Sequence, residues 1–208
     1  LVHDFYRTGN GGLMKYWTGV GSRNAPDDIQ ELAKKIGYKL KSEGWILRSG
    51  NALGMDHAFW LGACRWYSLQ GLEWEVHQRP EELYLPWDGY NGGKVNHHWG
   101  CFLNPERYPN FKEAMELVSG IHPNWAACKR GARAMHTRNV YQVLGRSLAY
   151  PSKFLICYAP PQGEGVKGGT NTAYMLAKMN DIPCFNLYVY ADRERIVEWL
   201  QLEEEIDD

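Results

Sequence analysis

The residue types best suited to chemistry lie in three glycine-containing stretches. Gly168-Gly169-Thr170-Asn171-Thr172 joins two glycines to three side chains that carry hydrogen-bond donors. Glycine lets a backbone come close to a ligand. At a helix start, the backbone N–H groups of such a stretch face an anion, and the helix dipole adds to the attraction. Gly21-Ser22-Arg23 offers a guanidinium suited to a phosphate; a surface ion pair would account for it equally well. Ser49-Gly50-Asn51-Ala52-Leu53-Gly54 leads to Asp56. That carboxylate could hold a ribose hydroxyl, act as a base, or simply favour a helix start through the dipole. Glu164 is the carboxylate of the third stretch, a second acid/base candidate or a solvated loop residue.

Beyond the loops, Trp87 could stack on a base or close the end of a strand. Arg138 and Asn139 could contact a ligand or serve a structural hydrogen-bond network. His97-His98 lacks metal-ligand spacing. The five cysteines (Cys64, Cys101, Cys128, Cys157 and Cys184) are scattered and form no C-x-x-C, so neither a zinc site nor a disulfide framework is expected. The loops match neither a Walker loop nor G-x-G-x-x-G, because Asn24 stands where the third glycine would be. Simple NAD binding is disfavoured on that ground.

The elements that must position these residues alternate. Lys15–Val20 reads as a strand and is followed by the first loop. Asp27 or Asp28 is expected to cap a helix carrying Ile29, Leu32, Ala33, Ile36 and Leu40 at helical spacing. Trp45–Ser49 reads as a second strand, with a helix after Gly54. Glu82–Pro86 reads as a third. Residues 88–110 read as one long loop, an uncommon length that is often functional. Helical patterns cover roughly 111–119 and 124–148. Lys153–Tyr158 is an apolar run of the kind buried on both faces. Thr172–Met179 reads as a helix, Ile182–Val189 as a fifth strand, and a last helix starts near Ala191. Strand, glycine loop and helix in alternation predict a Rossmann-like α/β fold, a mostly parallel sheet with helices on both faces. Ligands of such sheets bind at the carboxyl ends of the strands, where all three glycine stretches fall. One domain over 1–208 is expected, with a flexible lead-in at 1–14 and an acidic tail at 203–208.

Gly21-Ser22-Arg23, Ser49-Gly50-Asn51-Ala52-Leu53-Gly54-Met55-Asp56-His57-Ala58, Arg138-Asn139 and Gly168-Gly169-Thr170-Asn171-Thr172-Ala173 occur in the order seen in the DprA/Smf proteins. The chain resembles that family over most of residues 15–190, and through it the wider SLOG superfamily that includes the LOG nucleotide phosphoribohydrolases. Leu83-Tyr84-Leu85-Pro86-Trp87 with Asn91-Gly92 is similar to short DprA-like proteins carried by phages. The resemblance implies a nucleotide, a nucleotide-derived signal or single-stranded DNA as ligand, and a DNA-recombination role. LOG enzymes use a Glu at the position that Met175 occupies here. Methionine cannot act as a general acid or base, so the departure counts against LOG-type cleavage.

The formal net charge of −1 argues against a chain built to coat nucleic acid. A basic stretch, Lys129, Arg130, Arg133, Arg138 and Arg146, leaves a local patch open, or a solvated helix face. No segment approaches the roughly 18 apolar residues of a membrane span, and Leu1-Val2-His3-Asp4 holds no signal-peptide core. With the unpaired cysteines, this predicts the cytoplasm of a bacterial or phage-infected cell. Nine Trp and thirteen Tyr suggest rings at a ligand or an oligomer interface, hence a homo-oligomer. Three functions remain: a binding protein for a nucleotide, with any cofactor limited to such a bound nucleotide; an enzyme cleaving or transferring an N-glycosidic or phosphoribosyl bond, with Asp56 or Glu164 as acid/base; and a single-strand-binding recombination mediator.

Overall fold

The computed structural model describes residues 14–72, 79–95 and 101–202. The expectations for most of the lead-in, for His97-His98 and for the acidic tail lie outside those residues. The strands are β1 (Lys15–Gly21), β2 (Trp45–Ser49), β3 (Glu82–Tyr84), β4 (Phe102–Leu103), β5 (Leu155–Tyr158), β6 (Pro161–Gln162), β7 (Gly165–Val166) and β8 (Cys184–Asn186). The helices are α1 (Asp27–Ser42), α2 (Met55–Leu69), α3 (Phe111–Ile121), α4 (Arg130–Leu144), α5 (Thr170–Met179) and α6 (Tyr190–Trp199). Six strands form one sheet in the order β4-β3-β2-β1-β5-β8, and every pair in it is parallel. The fold is the expected Rossmann-like α/β sheet.

Side-chain alternation explains its two covered faces. Trp17, Leu47 and Ile156 point to one side, where they pack with Ile29, Ala33, Ile36 and Leu40 of α1, Phe59 of α2 and Ile196 of α6. Val20, Leu155 and Cys157 point to the other, against Val118 of α3, Val140 and Val143 of α4 and Ala173 and Leu176 of α5. Both faces are packed mainly with buried apolar groups, as an all-parallel sheet requires, with Thr18, Arg48, Ser49 and Asn186 the buried polar residues of its strands.

Chain order reverses between β1 and β5. From β1 the chain builds outward to β4 on one side, then returns to place β5 on the other. Val20 pairs with Cys157 and Gly21 with Tyr158 at the last rungs, so the crevice beyond Gly21 and Tyr158 is the switch point where such sheets bind ligands.

Several sequence expectations change. Residues 88–110 contain a sixth sheet strand, β4, and two short 3₁₀ turns at Tyr90–Gly92 and Pro105–Arg107. A two-residue strand carries too few alternating positions for periodicity to show. Asp27 and Asp28 occupy the first turn of α1, and Pro26 is the capping position. Their carboxylates therefore act on the helix dipole. The second helical region begins at Arg130, after a 3₁₀ turn at Trp125–Ala127, and ends at Gly145 with φ +74°. The third glycine stretch holds the hairpin β6–β7, and α5 starts at Thr170, two residues early. The fifth predicted strand is only Cys184–Asn186; Tyr188 and Val189 lead into α6.

Two glycines set how closely α1 and α2 approach. A Cβ on Gly37 would overlap the Phe59 carbonyl, and one on Gly62 the Lys34 carbonyl. Backbone cannot yield as a side-chain tip can, so Gly37→Ala is expected to destabilise the fold by about 2 kcal/mol and lower Tm by roughly 4–8 °C. Gly120→Ala is the control. Its added methyl meets nothing within 4 Å, so helix propensity alone acts and stability rises by up to about 1 kcal/mol. Thermal melts followed by circular dichroism compare the two.

Candidate functional site

A cleft of about 490 Å³ opens at the switch point. It is lined by the first loop (Gly21, Ser22, Arg23), by Asp56, by Arg138 and Asn139, and by Gly168, Gly169 and Thr170. The structure thus brings together residues from all three glycine stretches and α4.

Asp56 organises the floor. It stands in the first turn of α2, only 3% exposed. Its two oxygens accept from the backbone N–H of Gly21 (3.0 Å) and of Gly50 (3.1 Å). One carboxylate therefore ties the end of β1 to the end of β2. The Arg138 guanidinium lies 3.9 Å away. Burial pushes the Asp56 carboxyl above its ordinary range, opposed by Arg138 and by the backbone N–H groups of Gly21, Ala52 and Gly50. Burial likewise pulls Arg138 down, opposed by Asp56 and Tyr90; an arginine stays charged in such a place.

Arg138 is held from several sides. Nη1 donates to the Tyr84 carbonyl (3.2 Å). With the Gln142 amide oriented to satisfy both its ends, Gln142 Oε1 accepts from Arg138 Nη1 (3.1 Å) and from Gly50 N (3.0 Å), while its nitrogen donates to Asn139 Oδ1 (3.2 Å). Asn139 Nδ2 donates in turn to the Gly169 carbonyl (2.9 Å). The network runs from the second loop through α4 to the third loop. Arg138 Nε is buried with no partner, a donor that the protein itself leaves unsatisfied.

The glycines have separate tasks. A Cβ on Gly50 would overlap the Arg138 guanidinium, and one on Gly54 would fall 2.5 Å from the Ser22 carbonyl. Gly54 also has φ +79°, the left-handed region that glycine adopts without strain. These two glycines let α4 and the first loop close on the second loop. The N-terminus of α2 is occupied: Met55 N donates to Ser22 O (3.2 Å), His57 N to Ala52 O (3.0 Å) and Ala58 N to Gly54 O (2.9 Å). That of α1 carries two carboxylates. The N-terminus of α5, with Gly168 at φ +77°, lines the cleft and carries no carboxylate in its first turn, while Asn171 N donates to Gly168 O (3.1 Å).

Other expected site residues stand elsewhere. Ser49 is fully buried and donates to the Gly19 carbonyl at 2.6 Å. Asn51 is buried at φ +54° and donates to Tyr90 O (3.1 Å). Asn171 Oδ1 accepts from Val166 N (3.0 Å), closing the third loop. Thr172 Oγ1 meets His136 Nδ1 at 2.8 Å. Asn171, Thr172 and Glu164 line a neighbouring hollow instead. Trp87, 42% exposed, lines a separate groove with Phe111, Met115, Arg130 and Arg133. Its ring meets Tyr90 edge-on, 5.2 Å between centroids. Among the described residues no group of three or more His, Cys, Asp or Glu could hold a metal ion, and no helix is long and apolar enough to cross a membrane.

The cleft also contains Tyr90, His136, Gln142 and Lys167, which the motifs did not single out. His136 and Gln142 are three residues either side of Asn139, so they share its helix face. Lys167 immediately precedes the glycine pair and adds a cation at the mouth. Burial, His122 and Arg138 lower His136 to about 4, so it is neutral at physiological pH.

Two tests follow. Asp56→Ala leaves Gly21 N–H with no partner and Arg138 buried without its carboxylate, a loss of about 3–5 kcal/mol of stability readable by urea unfolding. His136 titrates lower in the fold than in the unfolded chain, which then binds more protons between about pH 4 and 6.5. Unfolding free energy therefore rises with pH across that window, and His136→Gln is expected to flatten the rise.

No protein-family model matches the sequence, and no curated protein is significantly similar to it. A solved structure similar to this chain is that of DNA processing protein A from Helicobacter pylori, described for a unique single-stranded DNA binding mode. It is 12% identical, with 92% of this chain and 82% of that chain covered at a TM-score of 0.38.

Proposed function

We propose that the switch-point cleft binds the phosphate of a nucleotide or nucleotide-derived ligand. The observation that carries this reading is Arg138: a guanidinium 5% exposed, lining the cleft with Nε unpartnered, beside the first turn of α5. A buried donor without a partner costs stability unless something fills the need. Helix N-termini and arginine forks are both phosphate-binding devices. Arg23 and Lys167 stand at the rim, and Asp56 is the carboxylate among the lining residues. With Arg138 opposite Asp56, the remaining charge of the cleft is positive and favours an anion.

The same geometry favours binding over glycosidic cleavage. Both Asp56 oxygens accept backbone N–H groups, which leaves the carboxylate poorly placed to take a proton from a ligand. Glu164, the other acid/base candidate, lines the neighbouring hollow, and Met175 is inert.

A second reading, a single strand of DNA as ligand, is favoured by the groove at Trp87. An exposed indole with Arg130 and Arg133 beside it offers stacking and phosphate contacts of the kind that hold single strands, and Trp87 touches Tyr90 of the cleft. Location in the cytoplasm and assembly as a homo-oligomer belong to the same proposal.

Calorimetric titration with the four common nucleoside 5′-monophosphates and their nucleosides separates the readings. At least one monophosphate is expected to bind roughly tenfold or more tighter than its nucleoside, and Arg23→Ala to weaken it by a similar factor. Equal affinity for nucleoside and nucleotide would overturn phosphate recognition. Oligo-dT binding with a steep salt dependence, lost in Trp87→Ala, would instead establish the second reading.

A further inference from the structure

A second hollow of about 340 Å³ adjoins the cleft. The two share His136 and Gly168 as a common wall. Their chemistry differs. The cleft has Arg23, Arg138 and Lys167 among its lining residues. The hollow has no lysine or arginine in its lining, and its one charged side chain is the exposed Glu164 carboxylate. Around it stand Gln162, Asn171, Thr172 and His122, all able to hydrogen-bond, with Ile121, Pro123, Val166 and Met175 as apolar walls.

We propose that this hollow is a second subsite, which takes an uncharged, hydroxyl-bearing group such as a sugar, joined through phosphate to the nucleotide in the cleft. The proposal rests on the phosphate-binding reading above and deepens it. A second phosphate or carboxylate would be repelled by Glu164, while hydroxyl groups would donate to it in charge-assisted bonds. The first turn of α5 stands between the two spaces: Thr170 and Ala173 line the cleft, Asn171 and Thr172 the hollow. A linking phosphate at that helix end would have one substituent on either side. His136 forms the partition. Its Nδ1 is engaged by Thr172 Oγ1 at 2.8 Å, and as a neutral imidazole it can face an anion on one side and hydroxyls on the other without adding charge to either.

The test is calorimetric titration of the full chain with ADP and ADP-glucose, and with UDP and UDP-glucose as a second pair. Each parent diphosphate carries more negative charge than its sugar conjugate, so the affinity ratio is compared between wild type and variants. Glu164→Ala removes the carboxylate; the Lys178 Nζ contact to Glu164 is to its backbone carbonyl (2.9 Å) and survives. Met175→Trp fills the hollow. For at least one pair, wild type is expected to prefer the conjugate by about tenfold, the worth of one charge-assisted hydrogen bond. Either variant should bring that ratio close to one while leaving affinity for the diphosphate within about twofold. A conjugate no tighter than its diphosphate in wild type, or a preference unchanged in both variants, overturns the second subsite and leaves the cleft reading standing. Failure of all four probes and of the monophosphates overturns the cleft reading itself. Should Met175→Trp fail to fold, Glu164→Ala, an exposed position, decides alone.

Discussion

The buried carboxylate of Asp56 is the constraint on which the rest of the site depends. Two parallel strands end side by side, and each end leaves a backbone N–H turned toward the crevice. Gly21 N and Gly50 N both donate to this one side chain. Without it, these two N–H donors at the bottom of the cleft would need water or another acceptor. With it, a negative charge is buried and must be balanced, and Arg138 supplies the balance from α4. Burying that guanidinium then demands its own acceptors, which Tyr84 O and Gln142 provide. Each requirement recruits the next element, so loop, strand end and helix are locked in sequence. Such a network is rigid only when fully satisfied, and one atom in it, the buried Arg138 Nε, is left without a partner.

A similar logic divides the three glycine stretches by task. The first two are closely packed on one another: Gly54 lies against the Ser22 and Arg23 backbone, and Gly21 against Met55. Their glycines serve chain-to-chain contact. Only in the third does glycine stand open, since a Cβ on Gly168 or Gly169 would meet nothing within 4 Å. A glycine with free space around it and a helix start behind it leaves room for an approaching group that the first two stretches do not. The three stretches share a composition and differ in what surrounds them.

That difference marks the boundary of what the sequence could show. The alternation of strand and helix, the parallel sheet and the amphipathic face of α1 were legible because each rests on periodicity over many residues. The gathering of Gly21, Asp56, Arg138 and Gly168 was legible because strand ends converge in this fold. Strand β4 was not, because two residues show no period. Ser49 ends β2 and Asn51 follows it in the loop, yet their side chains turn inward to Gly19 and Tyr90; a motif names residues without giving side-chain direction. His136 and Gln142 could have been found by carrying the helical spacing outward from Asn139. Tyr90 could not, since it reaches the cleft from a segment whose path depends on β3, β4 and the Asn51 contact.

What the cleft's side chains can do depends on their engagement as well as on their residue type. A carboxylate, an arginine and a histidine in one pocket form the usual inventory of an acid/base catalyst. Here the carboxylate has both oxygens occupied, the arginine is its counter-charge, and the histidine shares a hydrogen bond with Thr172 while burial holds it neutral. Proton transfer needs a group that can change partners during the reaction, and these three are committed to the scaffold. What lines the cleft without such commitments is a set of donors: Arg23 and Lys167 at the mouth, and Thr170 in the first turn of α5. Uncommitted donors without an uncommitted base are what the proposed anion-binding reading of the cleft rests on.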